Sequence, residues 1–270
     1  MKKIISSVFI VMHLLVLGQG QWEEKWRIPS DIFTVWDIDQ ASNSIICSQN
    51  NVTKRDINGK IVSEQSVKSI GALTKIDAST IFKLALFSEN QQQICFLDNA
   101  LALQNDCIDL AAFDIQYAQT FCYTAQNDRL WVYDQLNSSI RLITLKTMEQ
   151  QIIQNLRSLI QFNAISQLFE WNNELFLVDD AGKVHHFDLF GSFIGTYTLP
   201  TARWVQPWKE GFLVAAEKDI NFFDPNLIET VSFFKNLPVS DAIISFKWQA
   251  STQLLFVQTT KEISCFQFKK

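Results

Sequence analysis

Few side chains in this sequence have the chemistry of a metal site. Beyond the first 20 residues, histidine occurs at His185 and His186 alone. Neighbouring residues of a strand point to opposite faces, so these two imidazoles are not expected to bind one ion. Either could meet Asp179, Asp180 or Asp188, but the connector that holds Asp179 and Asp180 has fewer oxygen ligands than a calcium loop needs. We therefore expect no metal site.

Catalytic motifs are equally scarce. The sequence contains no Gly-x-Ser-x-Gly nucleophile turn and no glycine-rich phosphate loop. Carboxylate pairs that cleave glycosides meet in space and leave no spacing to read, so Asp31, Asp77, Asp114 and Asp241 are kept as candidates. Aspartates at such places more often cap turns through hydrogen bonds to the main chain. We assign no catalytic residue and no cofactor.

One hairpin pattern recurs along the chain. An apolar strand ends at a marker residue and a turn follows, as in Lys183 to Gly191. The markers are Asp56, Asp98, Asp134, Asp188, Asp224 and a degenerate Gln267, separated by 42, 36, 54, 36 and 43 residues. A period of ~40 residues fits four strands with their turns, the size of one propeller blade.

Each repeat is predicted to contain strands A, B, C and D, from the central axis outward. The A strand ends on tryptophan in four copies, Trp36, Trp171, Trp208 and Trp248. Packing between blades is the favoured interpretation, because tryptophan has a large area to bury. The alternative is an aromatic ring of side chains that binds sugars or peptides, to which Trp204 would also contribute.

The two ends of the chain complement each other. The sixth repeat ends after its C strand, whereas Gln21 to Ile28 forms a strand ahead of the first A strand. This strand is expected to complete the last blade and so to close the ring without a free edge. The chain thus resembles the six-bladed β-propellers of secreted and periplasmic proteins, which implies an all-β fold of four-stranded antiparallel blades over residues 21–270.

The longest interval between markers suggests an insertion at residues 145–162. Met148, Ile152, Leu156, Leu159 and Ile160 lie at helical spacing. We predict an amphipathic helix of two to four turns on the face formed by the D-to-A and B-to-C connectors. Docking on the rim of the propeller is favoured, and recognition of a partner through Ile152 and Leu156 is the alternative.

The first 20 residues have the pattern of a cleaved signal peptide. Lys2 and Lys3 precede an apolar run from Ile4 to Leu17, and small residues follow. The run is shorter than the ~20 residues of a membrane span, so we expect cleavage before Gln21 and no span in the mature protein. Residues 1–20 are then the leader, and the protein is secreted or periplasmic.

Charge and cysteine content exclude some classes. A formal charge of −5 without clusters of lysine and arginine disfavours nucleic acid as a partner. The five cysteines are scattered, and an odd number leaves at least one thiol unpaired. We interpret them as structural, and the sequence leaves their pairing open.

The sequence favours a binding protein over an enzyme. Propellers hold many connectors on a rigid ring, and function usually lies in those connectors. The hypothesis is a scaffold that recognises a protein or an envelope glycan through one loop face. The alternative is a carbohydrate-active hydrolase or lyase with acidic residues at the mouth of the channel.

Overall fold

The computed structural model describes residues 21–80, 83–126, 128–199 and 204–269. The side chains of residues 105 and 106 are also outside the description. The expected leader, residues 1–20, and most of the D-to-A connector at 199–202 lie outside these ranges.

Strands make up nearly all of the regular structure. In chain order they are β1 (Gln21–Pro29), β2 (Val35–Ile38), β3 (Ser44–Ser48), β4 (Asn51–Arg55), β5 (Ile61–Ser66), β6 (Lys75–Asp77), β7 (Leu84–Ser88), β8 (Gln93–Leu97), β9 (Leu103–Asp109), β10 (Ala118–Tyr123), β11 (Arg129–Asp134), β12 (Ser139–Thr144), β13 (Gln150–Ile153), β14 (Ile165–Trp171), β15 (Glu174–Asp179), β16 (Lys183–Asp188), β17 (Phe193–Thr198), β18 (Val205–Trp208), β19 (Gly211–Ala216), β20 (Asp219–Asp224), β21 (Glu229–Phe234), β22 (Ser245–Gln249), β23 (Leu254–Gln258) and β24 (Glu262–Lys269). Helical turns occur at Lys68–Ile70, Leu110–Phe113 and Leu156–Leu159, the last being α1. In the described part of the chain, no helix is long and apolar enough to cross a membrane.

The strands form six four-stranded antiparallel sheets, the blades of a propeller. Blades 1 to 5 each use four consecutive strands, from β2–β5 to β18–β21. Blade 6 has the order β1-β24-β23-β22, so its outer strand comes from the opposite end of the chain. The predicted fold class is confirmed.

Ring closure follows the predicted pairing. Trp22 lies opposite Phe268, and Ile28 lies opposite Ile263. The register shifts between Glu24 and Trp26, which leaves Lys25 as the extra residue of a β-bulge.

The bulge directs the two tryptophans of β1 to opposite faces. Residues four apart on a regular strand share a face, and one extra residue reverses that relation. Trp22 packs on Phe234 of blade 5, with ring centroids 4.8 Å apart. Trp26 packs on Phe256 of its own blade at 6.0 Å and covers Gly59 of blade 1. The closing strand is therefore fixed to both neighbouring blades.

The hydrophobic core lies between the blades. Phe87 of blade 2 meets Phe121 of blade 3 with ring centroids 5.8 Å apart. Trp131 of blade 3 is fully buried in a cluster that includes Ile165 and Leu168 of blade 4. Stacked sheets with few glycines need large side chains to fill the space between them, which accounts for the 22 phenylalanines of the sequence.

The marker aspartates hold the turns between the third and fourth strands. In Asp56, Asp98 and Asp188, Oδ1 accepts hydrogen bonds from the N–H groups two and four residues later, at 2.8–3.0 Å. The N–H of Ser192 is the main cause of a lowered pKa at Asp188. The markers are structural turn residues.

The prediction for Asp134 is wrong, because this residue does not end the third strand of its blade. Asp134 ends β11, the second strand of blade 3, whereas the other aspartate markers end or follow third strands. The third strand of this blade is β12, which ends at Thr144, and no aspartate marks its turn. The interval of 54 residues therefore reflects a slip of one strand and not an insertion.

The helix predicted over 145–162 is consequently wrong. This segment holds a turn, the outer strand β13 and the four-residue helix α1. Ile152 is partly exposed and Ile153 is buried, the alternation of a strand. A short strand followed by one helical turn reproduced the apolar spacing of a longer helix.

Candidate functional site

A channel runs through the centre of the ring. Its volume is about 480 Å³, and every blade contributes residues of its innermost strand to the lining, from β2, β6, β10, β14, β18 and β22. This cavity is the first candidate site.

Two lysines line the channel in different environments. Lys247 Nζ lies 2.8 Å from Asp37 Oδ1. Burial alone would lower the pKa of Lys247, but the charge of Asp37 and its hydrogen bond raise it. Lys75 Nζ instead donates to Thr120 Oγ1 at 3.2 Å and to the carbonyl of Phe121. Burial lowers the pKa of Lys75, and nearby Asp77 only partly opposes this.

Four carboxylates line the channel, and two of them, Asp37 and Asp77, tie neighbouring blades together. Asp37 Oδ2 accepts a hydrogen bond from the N–H of Ala78 in the next blade, at 2.8 Å. Asp77 Oδ2 accepts from the N–H of Tyr123 in the blade after that, at 3.0 Å, and Oδ1 accepts from the N–H of Ser79. These acids satisfy buried main-chain donors.

Glutamine side chains join later seams in a similar way. Gln167 of blade 4 accepts from the N–H of Val205 at 2.9 Å and donates to its carbonyl at 3.0 Å. Gln206 of blade 5 makes the same pair with Trp248 of blade 6, at 2.7 Å and 2.9 Å. Each side-chain amide bonds both the N–H and the carbonyl of one residue in the next blade, as a neighbouring strand does within a sheet.

The other candidate acids lie away from the channel. Asp77 is the only one of the four that the cavity lining includes. Asp31 accepts within its own turn, and Asp114 ends a short helical turn. Asp241 is paired with Lys261 at 3.1 Å on the surface. The structure therefore does not bring these carboxylates together.

The predicted tryptophans separate into two groups. Trp36 and Trp204 line the channel. Trp36 Nε1 donates to Ser245 Oγ at 2.9 Å and to Gln258 Oε1 at 2.8 Å, which joins blade 1 to blade 6. The remaining three pack in the core.

Those three tryptophans serve packing between sheets. Trp248 is 8% exposed, with its ring centroid 4.9 Å from that of Phe234. Trp208 lies 6.1 Å from Phe233, and Trp171 packs against the apolar cluster between blades 4 and 5. There is no single aromatic ring of side chains at one mouth of the channel among the described residues.

The histidine pair points to opposite faces, as the strand geometry requires. His185 is buried, with Nδ1 2.9 Å from Thr196 Oγ1 and Nε2 3.4 Å from Asp179 Oδ2. Burial lowers the pKa of His185, and Asp179 partly opposes the shift. His186 stacks on Phe176 with centroids 4.4 Å apart. The described residues contain no cluster of three groups that could hold a metal ion.

The two candidates from 145–162 also differ. Leu156 is fully buried in the cluster between blades 3 and 4, so its side chain does not reach a partner. Ile152 is partly exposed on β13 and belongs to a larger surface that the sequence analysis did not find.

That surface is an apolar rim on blades 3, 4 and 5. Its side chains lie in the turns after the third strands and on the outer strands, and all are at least partly exposed. Phe190 is the most exposed at 87%, followed by Ile228 at 78%. The apolar rim consists of Met148, Ile152, Phe190, Phe193, Ile194, Leu227, Ile228 and Val231.

Neighbouring blades are in contact beside the rim. Gln151 of β13 donates to the carbonyl of Leu189 at 3.1 Å, so the outer strand of blade 3 touches the turn of blade 4. Ile153 packs over Gly191 in the same turn. Tyr197 of β17 meets Phe223, just before the turn of blade 5, at 6.3 Å.

The outer strands of these blades also carry little charge. β13 and β17 contain no charged residue, and β21 contains Glu229 alone. Of the other outer strands, β5 contains one charged residue, β9 two and β1 four. Proteins usually place charges on exposed edges to prevent pairing with other chains, so the outer strands of blades 3 and 4 are unusual.

Two cysteines form a disulfide. Cys95 in β8 is bonded to Cys107 in β9, which joins the third and outer strands of blade 2. The remaining three cysteines are buried and free. Burial raises the pKa of Cys47 to about 11 and that of Cys265 to about 12, as expected of inert core thiols.

Comparison with known proteins supports the fold and nothing finer. No protein-family model matches the sequence, and no curated protein matches it either. Among solved structures the chain is similar to the Neurospora crassa Pan2 WD40 domain, with 8% identity and a TM-score of 0.66 over 93% of this chain and 98% of that one. It is also similar to a streptogramin B lyase, with 13% identity and a TM-score of 0.63 over 93% and 98%. A catalytically inactive virginiamycin B lyase from Staphylococcus aureus, with quinupristin, matches at 10% identity and a TM-score of 0.59 over 92% and 99%. At such identities the likeness identifies this chain as a β-propeller and says nothing of its activity.

Proposed function

We propose that the protein is an exported β-propeller scaffold that binds another protein through the apolar rim of blades 3 to 5. The observation that carries the proposal is that exposed apolar side chains lie on the outer parts of three consecutive blades, two of which have outer strands without a charged residue. Large exposed apolar patches on soluble proteins usually mark binding sites.

The chemistry of the rim favours a protein partner over a glycan. The eight rim side chains offer no hydrogen bonds to sugar hydroxyls, which lose water on binding and need new partners. Apolar side chains fit those of a partner protein, and the open edge of β17 can add an extended segment through main-chain hydrogen bonds.

Export is supported by two independent features. The run from Lys2 to Leu17 has the pattern of a signal peptide. The Cys95–Cys107 disulfide is typical of an oxidising compartment. Mass spectrometry of the secreted or periplasmic protein should find Gln21 as the first residue and a disulfide-linked peptide pair. A first residue of Met1, with both thiols free, would contradict export.

The alternative, a hydrolase or lyase, finds little support in the channel. Its lining contains four carboxylates, and each accepts a hydrogen bond from a protein donor: Asp37, Asp77, Glu89 and Glu170. A general acid or base must be free to exchange its proton with a substrate. These four groups already have hydrogen-bond partners within the protein.

The test compares two rim variants with a matched control. Phe190→Asp and Ile228→Asp each put a charge on the rim. Val62→Asp does the same on the outer strand of blade 1, where Val62 is 61% exposed. Proteins captured from the extracytoplasmic fraction by the wild type are purified, and their affinity for each variant is measured by calorimetry.

The expected result is a partner whose affinity falls at least tenfold with each rim variant and stays unchanged with Val62→Asp, since charges in a buried apolar contact cost several kcal/mol. Equal affinity for all variants would contradict the proposal. Light scattering on the purified protein tests whether the rim binds a second copy of this chain. A dimer that dissociates in the rim variants but not in Val62→Asp would show this.

A further inference from the structure

We propose that the central channel binds a small hydroxylated monocarboxylate, with its carboxylate on Lys75. This site is separate from the apolar rim and does not depend on the proposed function. Its basis is the distribution of charge and of unpaired polar atoms along the channel.

Lys75 differs from the other lysine of the channel lining in its partners. Lys247 is paired with Asp37, whereas the described residues provide no ion pair for Lys75. Its Nζ donates to Thr120 and to the carbonyl of Phe121, which leaves one N–H of the ammonium group free. A charge that is removed from water without a counterion is costly, and a bound anion offsets that cost.

The charged neighbours of Lys75 limit the charge of the ligand. Asp77 and Asp37 act on it as negative groups, Lys247 as a positive one, and the thiol of Cys122 lies close by. Together with Glu89 and Glu170, which also line the cavity, these carboxylates repel a dianion such as a phosphate monoester more strongly than a single carboxylate. A single carboxylate matches a single free ammonium group, and its ion pair with Lys75 raises the pKa that burial has lowered.

Two further polar atoms of the lining are unpaired. Gln119 Oε1 and Trp204 Nε1 are buried, and neither has a hydrogen-bond partner in the described part of the chain. The first is an acceptor and the second a donor, so together they suit a ligand with hydroxyl groups. The rings of Trp204 and Trp36 add apolar faces to the same cavity. A volume of about 480 Å³ has room for a sugar acid of one or two rings.

The test uses matched ligands that differ only in the carboxylate. Galacturonate and galactose have the same ring, and binding of each to the full mature protein is measured by saturation-transfer NMR and calorimetry. Galacturonate is expected to bind at least tenfold more tightly than galactose. Equal binding of the two sugars would overturn the proposal. It would also be overturned if galacturonate did not bind at concentrations up to about 50 times the ~1 mM dissociation constant typical of such small ligands.

Variants locate the site. Lys75→Met should weaken galacturonate binding at least tenfold, whereas Lys83→Met, which removes an exposed lysine outside the channel, should leave it unchanged. Galacturonate binding that survives Lys75→Met would place the site elsewhere.

A second readout does not require a folded variant. The pKa of Lys75, followed in the wild type through the NMR shift of its ε-methylene carbon, should rise when galacturonate is added and stay constant with galactose. A pKa of Lys75 that does not change when galacturonate is added would refute contact between the carboxylate and Lys75.

Discussion

Deletion of Lys25 should remove the packing of one of the two tryptophans of β1 against its neighbours. Lys25 is the extra residue of the bulge in β1, and its own side chain is exposed. Without it, Trp22 and Trp26 fall on one face of the strand. Either Trp26 leaves its site near Phe256 and Gly59, or the first residues slip and Trp22 leaves its site near Phe234.

The expected cost follows from the burial of one tryptophan. Trp26 is 8% exposed, so its loss uncovers roughly 200 Å² of apolar area. At about 25 cal/mol per Å² this amounts to ~5 kcal/mol, near the ~3–5 kcal/mol found for truncation of a buried tryptophan. A domain of this size would lose roughly 10 °C in Tm.

Urea denaturation followed by circular dichroism measures the effect. Lys25→Ala is the control, because it keeps the bulge and should change the free energy of unfolding by less than ~0.5 kcal/mol. Trp26→Ala gives the loss in free energy of unfolding that results when this side chain is removed, against which the deletion is compared. A deletion variant as stable as Lys25→Ala would refute the role of the bulge in directing the two tryptophans.

Three further predictions concern stability. Leu156→Ala should lower the free energy of unfolding by ~2–5 kcal/mol because it opens a cavity between blades 3 and 4. Leu159→Ala, at an exposed position, should lower it by less than ~0.5 kcal/mol. Equal losses in urea denaturation would contradict the packing described for α1. Replacing Cys95 and Cys107 by serine should lower the free energy of unfolding by ~2–3 kcal/mol, because the disulfide closes a loop with a sequence separation of 12; no loss relative to the wild type under oxidising conditions would mean that the bond does not form. The pKa of His185 is lowered in the folded state, so the unfolded chain binds the proton first and stability should fall as pH drops below ~6.5; His185→Gln should remove this part of the slope, and an unchanged slope would assign it to other groups.

Local patterns were sufficient to predict the ring and its closure. The turn aspartates hydrogen-bond to N–H groups only two and four residues away, so their signal is written within a few residues of sequence. The unassigned strand at Gln21 to Ile28 and the missing strand after Phe268 are likewise visible in the order of strands along the chain.

The same reliance on turns produced the error in blade 3. Asp134 also accepts hydrogen bonds within its turn, from Asn137, so it looks like the other markers although it follows a second strand. The turn that follows the third strand, after Thr144, contains Met148 with a positive φ, a conformation that methionine rarely adopts and that the sequence therefore does not predict.

Features that depend on contacts between blades were beyond the sequence. The pairing of Gln167 with Val205 spans 38 residues, and that of Gln206 with Trp248 spans 42. The hydrogen bonds of Lys75 likewise reach a hydroxyl and a carbonyl of the next blade, 45 and 46 residues further along the chain. The apolar rim, too, emerges when turns and edges of three blades are placed side by side.

The affinity of a captured partner for Phe190→Asp, measured beside Val62→Asp, tests the central claim most directly. Both substitutions place one carboxylate at an exposed apolar position, on blade 4 and blade 1 respectively. The apolar rim as the recognition surface predicts at least a tenfold loss of affinity for Phe190→Asp and none for Val62→Asp. Equal affinities, or a loss confined to Val62→Asp, would contradict it.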